Sequence, residues 1–440
     1  MGKKDQLLLL HLSDIHFREP YCLNPDTDQD HPVRKALTND ISQMVARLGN
    51  VDAIIVSGDI AYHGKAREYK IASKWFSEVI QISQCPEQRL YTVPGNHDVN
   101  RTLAGSREVL GARVLVSNSE LGPDRDKELH DTFLEERSGN HLLTPMGDYN
   151  EFSAQFGCDL SPKRPFWTDE LPITPGWTLK MHGLTSTFFS GPDDDKEGGL
   201  FLGALQRVFS PDNGIVRLAL FHHPPDWLSD KDAFDDALWE NCSLHLFGHK
   251  HRNRYRTGDK GIRLAAGAVN PSRKEGNWEP GYNLVCLNIS EVNGSFFLNT
   301  KCYLRIWQDN PDQFIGKKDR AGKEEFEHSV RLWNKPVFLP PPKEMKVPME
   351  KEDKKPKPEE TVLPREKEPM DVSTFARSLV FNFWQFSPSE RRKIMQQLGL
   401  LEEADDELPE TQQYRRAFER ANDRNLISEL NSLVNQLKPK

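Results

Sequence analysis

Short apolar runs, each breaking off in a polar turn, set the rhythm of the first 310 or so residues. The runs at residues 7–12, 53–56, 90–93, 178–182, 217–221, 243–247 and 263–266 are too short for core helices. They are rich in Val, Ile and Leu, which predicts buried strands. Between some of them lie longer amphipathic stretches, and residues 32–48 and 66–82 are predicted helices. This alternation predicts α/β architecture, with helices outside a sheet or sheets. Runs at 282–289, 295–299 and 301–306 follow one another with no helix between, which predicts an antiparallel end to a mixed sheet. Over residues 100–177 the strand pattern stops. Short helices are expected at 106–115 and 131–136, and an interval this long suggests a cap over a site. Residues 190–199, with Gly191-Pro192 followed by acids, read as a mobile loop.

Composition then shifts. Residues 335–370 hold nine prolines among 36 positions, with nine basic and eight acidic side chains. Such a stretch buries too little apolar surface to offset the entropy of ordering it, so an extended linker is expected. It divides a first domain, 1–334, which includes the 100–177 insertion, from a second, 371–440. In the second, Phe375, Leu379, Phe383 and Phe386 recur at helical spacing. Ser387-Pro388-Ser389-Glu390 combines an N-cap, a first-turn proline and an acid at N3, and Gly399 suits a left-handed C-cap. Further stripes at Tyr414, Phe418 and Ala421 and at Leu426, Leu430, Leu433 and Leu437 predict a small all-α bundle.

Charge and cysteine content narrow the function. The 440 residues carry 58 Lys+Arg against 66 Asp+Glu, a formal charge of −8, which excludes a broadly basic nucleic-acid surface but not a small basic groove. Six cysteines without a CxxC pair make neither a disulfide scaffold nor a zinc knuckle. The apolar run near the start is too short for a membrane span or a signal core, so a cytoplasmic protein without membrane contact is expected.

Candidate chemistry sits in five short blocks, each directly after a predicted strand. They are Asp14-Ile15-His16, Gly58-Asp59, Gly95-Asn96-His97-Asp98, His222-His223-Pro224 and Gly248-His249-Lys250-His251. Ligands in open α/β sheets gather at the carboxyl ends of strands. Carboxylate, amide and imidazole donors suit Mn²⁺, Fe²⁺, Zn²⁺ or Ni²⁺, and the absence of thiols disfavours a soft site. The set exceeds what one tetrahedral ion uses and fits two divalent ions sharing a bridge. A bridging hydroxide at neutral pH, with two cations to stabilise charge on phosphorus, matches phosphoester hydrolysis. His63, Lys250 and Arg252 are candidate substrate contacts, with Arg254 and Arg256 extending the basic patch.

Together the five blocks resemble the signature of calcineurin-like metallophosphoesterases, over residues 7–310, and within them the branch of cyclic-nucleotide phosphodiesterase-like proteins. The resemblance implies a metallophosphoesterase sandwich with flanking helices. It implies Asp14, His16 and His251 at one metal, Asn96, His222 and His249 at the other, and Asp59 bridging them. His97 would stabilise the transition state or protonate the leaving oxygen, Asp98 would orient His97, and His223 would support the ligands from behind. The segment 374–438, with Phe386–Ile394 and Tyr414–Ala421 as its clearest parts, resembles a bacterial effector-associated adaptor domain. That implies recruitment of a protein partner or self-association through 371–440. Pairing by charge is expected if the basic Arg391, Arg392, Arg415 and Arg416 and the acidic Glu402, Glu403, Asp405, Asp406 and Glu407 occupy separate faces. The expected activity is hydrolysis of a nucleotide or nucleic-acid phosphodiester. The alternatives are a DNA or RNA nuclease effector in bacterial defence and a non-catalytic nucleotide-sensing adaptor.

Overall fold

A computed structural model describes residues 6–192, 196–273, 278–337, 372–406 and 408–437. Every apolar run of the first domain overlaps a strand, with bounds that agree to within a few residues. In chain order these are β1 (Leu7–Leu12), β2 (Ala53–Val56), β3 (Leu90–Thr92), β4 (Trp167–Thr174), β5 (Trp177–Gly183), β6 (Ile215–Leu220) and β7 (Leu244–Phe247). There follow β8 (Arg254–Gly258), β9 (Gly261–Ala265), β10 (Gly281–Val292), β11 (Ser295–Gln308), β12 (Gln313–Gly316) and β13 (Glu325–Leu332). One sheet runs β12-β11-β10-β1-β2-β3, with β13 also on β11, and the other runs β4-β5-β6-β7-β9-β8. β1, β2 and β3 are mutually parallel, as are β5, β6, β7 and β9.

The strands at the middle of each sheet are buried on both faces, which is why they read as unbroken apolar runs. Leu8, Leu10, Ile54, Val56, Leu218 and Leu246 belong to one core shared by the two sheets. Outer helices cover them: α1 (His31–Leu48) and α2 (Ala66–Ser83) pack side by side on the first sheet's side of the molecule. The architecture is an α/β sandwich with flanking helices. The antiparallel end expected near residue 282 is β10 and β11; the latter is one strand of 14 residues where two were expected.

The interval 100–177 departs more from expectation. It is mostly helical: α3 (Arg101–Ala104), α4 (Arg107–Asn118), α5 (Pro123–Leu134), α6 (Glu136–Leu143) and α7 (Gly147–Ala154), followed by β4. These helices bury narrow faces such as Val109, Ala112 and Val116, so their sequences look polar. Arg113 ties α4 to the loop after β5 by donating to the carbonyls of Phe188 (3.0 Å) and Ser190 (2.6 Å). One further helix, α8 (Lys231–Asn241), lies between β6 and β7. Part of the loop expected at 190–199 and most of the linker expected at 335–370 fall outside the described residues. Within the linker's first residues, Lys335 and Val337 are still hydrogen-bonded to Asn213 and Gly176.

The C-terminal part is a distinct all-α bundle of α9 (Val372–Trp384), α10 (Pro388–Gln397), α11 (Glu410–Asp423) and α12 (Ile427–Leu437). Its core is its own and includes Leu379, Phe383, Ile394, Tyr414, Leu430 and Val434. Ser387 N–H donates to Glu390 at 2.8 Å, as the capping sequence predicts, and Gly399 ends α10 at φ +62°. The charges do not separate into two faces. Arg391 meets Glu410, Arg392 meets Asp406, and Arg420 meets Glu402 and Asp405. Arg415 reaches Asp159 and Arg416 reaches Glu136, both outside the bundle, so two arginines expected at a recruiting face are engaged within the chain.

Candidate metal centre

The carboxyl ends of β1, β2, β3, β6 and β7 point to one place between the sheets. The five residue blocks follow these strands and converge there. Donor atoms of four overlapping groups each lie within 4.8 Å of one another: Asp14, His16 and His251; His16, Asp59 and His97; Asp14, Asp59 and His222; and His222, His223 and His249. Asn96 joins them, with its Oδ1 3.0 Å from His222 Nε2 and 3.2 Å from His249 Nδ1. Asp59 stands centrally. Its Oδ1 accepts from the His97 N–H at 2.7 Å, and its Oδ2 lies 3.2 Å from His16 Nε2 and 3.4 Å from His222 Nε2. Asp14 Oδ1 lies 3.2 Å from His251 Nε2.

Tight backbone turns make this convergence possible. Of the nine non-glycine residues with positive φ among those described, five are Asp14, His16, Asp59, His249 and His251. A left-handed backbone in non-glycine residues is uncommon and collects at functional sites, where the surrounding fold holds it in place. Gly95 is required by close approach: a Cβ there would lie 2.1 Å from Asp59 Oδ1.

The donor set fits cations. His222 Nδ1 lies 2.7 Å from the Ser57 carbonyl, to which it donates, so Nε2 turns a lone pair toward the oxygens of Asn96 and Asp59 when the ring is neutral. His16 repeats the pattern, with Nδ1 on the Asn270 carbonyl at 3.2 Å and Nε2 toward Asp59. Lone pairs facing oxygens repel unless positive charge lies among them. Burial opposes charge on His222, but Asp59 and Asp14 lift it to about 9, which marks the strength of the negative field there. Asp14 and Asp59 are 0% and 1% exposed, and two buried carboxylates at this spacing need counter-charge. Burial pushes His249 down to about 3, leaving it a neutral donor.

The remaining expected residues are placed as follows. His97 Nδ1 donates to the Tyr62 carbonyl at 2.9 Å, so that carbonyl, rather than Asp98, orients the ring. Asp98 instead accepts from the N–H groups of Ile60 (3.2 Å), Ala61 (2.9 Å) and Gly95 (2.9 Å) and from Tyr69 OH (2.8 Å). It ties the loop after β3 to the loop after β2. Burial, and next the charge of Asp59, pushes Asp98 up to about 6. His223 is buried with Nδ1 on Ser186 Oγ at 2.8 Å, and its ring lies 4.6 Å from that of His249. His63 is turned to Glu68 at 2.9 Å. Lys250 pairs with Asp226 and lies over Trp227, whereas Arg252 lines a separate cleft with Trp278 and Trp307. Lys250 and Arg252, both expected as substrate contacts, line different clefts.

Sequence reasoning missed Ser57, Tyr62, Ser186 and Asn270, which hold the imidazoles. Asn270 had a signal, because it follows the strand now seen as β9 in the way the other blocks follow theirs. Asn270, Ser57 and Tyr62 act on the imidazoles through backbone carbonyls and Ser186 through a lone hydroxyl, none of which marks residue type.

Residues 7–253 match the model of the calcineurin-like phosphoesterase family, and residues 376–436 match that of the GTPase-associated adaptor domain. The chain is similar to an uncharacterized metallophosphoesterase-like protein, YydB, of Bacillus subtilis, at 22% identity over 261 residues, covering 56% of this chain and 49% of YydB. It is similar to the glycerophosphodiester phosphodiesterase GpdQ of Enterobacter lignolyticus at 33% identity over 98 residues, covering 21% of this chain and 30% of GpdQ. Thus the chain spans half or less of the length of these relatives. Among solved structures, GAP50, the anchor in the inner membrane complex of Plasmodium, aligns with a TM-score of 0.37 and 11% identity over 76% of this chain and 90% of that one. With the family model spanning more than half of its residues and the expected His and Asp clusters gathered between its sheets, the chain belongs to the calcineurin-like phosphoesterase family.

Proposed function

We propose that this chain hydrolyses a phosphodiester with the help of two divalent metal ions. The observation that carries the reading is the convergence of Asp14, His16, Asp59, Asn96, His222, His249 and His251 from five strand ends on one buried point. Asp14, His16 and His251 would hold one ion, Asn96, His222 and His249 the other, and Asp59 would touch both. Bound there, Mn²⁺, Fe²⁺ or a similar ion pair supplies Lewis acidity and a water nucleophile at neutral pH. His97 works beside them. The Tyr62 carbonyl fixes its proton on Nδ1, which leaves Nε2 to face the site. Burial pushes the ring down to about 4, so it begins neutral. A substrate anion at contact distance favours the cation, and Nε2 can then carry the proton given up by the attacking water to the leaving oxygen as its bond to phosphorus breaks.

The substrate proposed is a small phosphodiester such as a cyclic or linear nucleotide, ahead of a nucleic-acid strand. Beside the centre lies a cavity of about 320 Å³ lined by Lys231, Lys250, Arg254, Arg256 and Arg263, with Asp226, Asp232 and Asp235 among them. Lys250 and Arg263 are already paired with Asp226 and Asp235. Alternating charge of this kind gives local contacts and no continuous track for a polyanion. The bundle would bring a protein partner to the enzyme, in keeping with the adaptor family it matches. No described helix is long and apolar enough to cross a membrane.

A panel of bis(p-nitrophenyl) phosphate, cyclic nucleotides, dinucleotides, single-stranded DNA and RNA, run with Mn²⁺, tests this. Turnover of a small diester that changes little between 50 and 200 mM salt is expected. Strand cleavage with a steep salt dependence would transfer the assignment to a nuclease. Nucleotide binding with no turnover on any substrate would transfer it to a sensor.

A further inference from the structure

One side chain of the bundle crosses into the sandwich. Arg377, on α9, is 11% exposed. Its Nε donates to the Gln88 carbonyl at 3.1 Å, and its Nη2 donates to the carbonyls of Leu90 (3.2 Å) and Phe156. Its Nη1 lies 2.9 Å from Asp169 Oδ2, and the guanidinium sits 4.1 Å from the centre of the Tyr91 ring.

The strand it meets is the edge of its sheet. β3 pairs with β2 on one side only. The Arg89 carbonyl is used inward, accepting from Ile54 N–H at 2.9 Å, so the alternating carbonyls of Gln88 and Leu90 face the open edge. Unpaired edge groups are normally covered or paired in native proteins. Here they are sealed by side chains: Arg377 on Gln88 and Leu90, and the Trp167 indole N–H on the Thr92 carbonyl at 2.8 Å. Four residues beyond Thr92 lies Asn96, and His97 follows. A guanidinium with five donors in a rigid fork can span carbonyls and a carboxylate at once, which a lysine cannot.

We propose that Arg377 is a positioning residue for the Asn96–His97 segment, acting through the open edge of β3, and that the metal centre thereby senses whether the adaptor bundle is docked. The reading rests on the metal centre proposed above. A partner that pulled the bundle away would withdraw Arg377 and loosen the segment, with no contact of its own at the site.

The test compares full-length wild type, Arg377→Ala and Arg377→Lys by thermal melting, Mn²⁺ titration calorimetry and turnover of bis(p-nitrophenyl) phosphate. In Arg377→Ala that still melts cooperatively, kcat is expected to fall about tenfold or more with KM changed less than twofold, and the weaker Mn²⁺ affinity to fall by a similar factor. Arg377→Lys keeps the charge against Asp169 and is expected to restore neither. A folded alanine variant with wild-type kcat and Mn²⁺ affinity overturns the proposal. So does a variant whose only change is a lower melting temperature. Should the alanine variant fail to fold, the lysine variant decides by the same criteria, and wild-type values in it overturn the proposal. Should wild type turn over no diester, the Mn²⁺ titration decides alone, which separates failure of this inference from failure of the catalytic one.

Discussion

Replacing Asp59 with asparagine is expected to lower kcat/KM on a phosphodiester by about 10³-fold, which corresponds to about 4 kcal/mol of lost transition-state stabilisation. Asp59 lies within reach of both proposed ligand groups, with its Oδ2 facing His16 at 3.2 Å and His222 at 3.4 Å. Asparagine keeps the size and the oxygen that accepts from the His97 N–H, but it removes the negative charge. The fold should survive, because burying an amide costs less than burying a charge. Steady-state kinetics at saturating Mn²⁺, with melting as the control, reads the effect. A variant retaining a tenth or more of wild-type turnover would remove Asp59 from the bridging role.

Asp98→Ala is expected to damage stability and activity together. Three backbone N–H groups and the Tyr69 hydroxyl would lose their acceptor at a fully buried position. A buried donor left unsatisfied costs about 1–3 kcal/mol, and water entering the gap offsets part of the sum, so a total near 4 kcal/mol is expected. The loops after β2 and β3 would also part, moving Asp59 away from Asn96 and His97, and turnover should fall about 10–100-fold. Asparagine is expected to be little better, because its amide N–H₂ would face N–H donors. Urea unfolding and turnover of both variants check this. An alanine variant with wild-type stability would contradict the tie between the loops.

How much of this was legible in sequence followed burial. β1, β2, β6 and β7 lie in sheet interiors and announce themselves as short apolar runs, and the ligands stand immediately after them. β8 did not, because Arg254, Tyr255 and Arg256 on an edge strand look like a basic loop. β4 was hidden by Asp169, Glu170 and Pro172, which an outer strand tolerates and a central one does not. Helices α4, α5 and α6 each bury only a thin stripe, too little to register against their polar faces, and α7, though mostly buried, is only eight residues long. Residue types could nominate Asp98 as a partner of His97 but could not tell a carboxylate that holds a ring from one that holds three backbone amides. Arg377 left no trace at all. On an amphipathic helix an arginine plugged into a sheet edge reads the same as one in water. Only the register of β2 on β3 reveals why a cation belongs there.

The bundle's contacts also change what recruitment requires. With Arg377, Arg415 and Arg416 committed to the sandwich, a partner must use the outward surface of the bundle or compete for these arginines. The first route leaves the seven proposed ligands where they are, because none lies on the bundle, whereas competition for Arg377 would loosen the Asn96–His97 segment.

Metal dependence tests the central claim most directly. The protein would be stripped with a chelator, dialysed, and titrated with Mn²⁺ while turnover of bis(p-nitrophenyl) phosphate and bound metal per chain are measured together. The account predicts no turnover in the stripped protein and recovery that completes as two ions bind per chain. Undiminished turnover without divalent metal, or full recovery with a single bound ion, would contradict it.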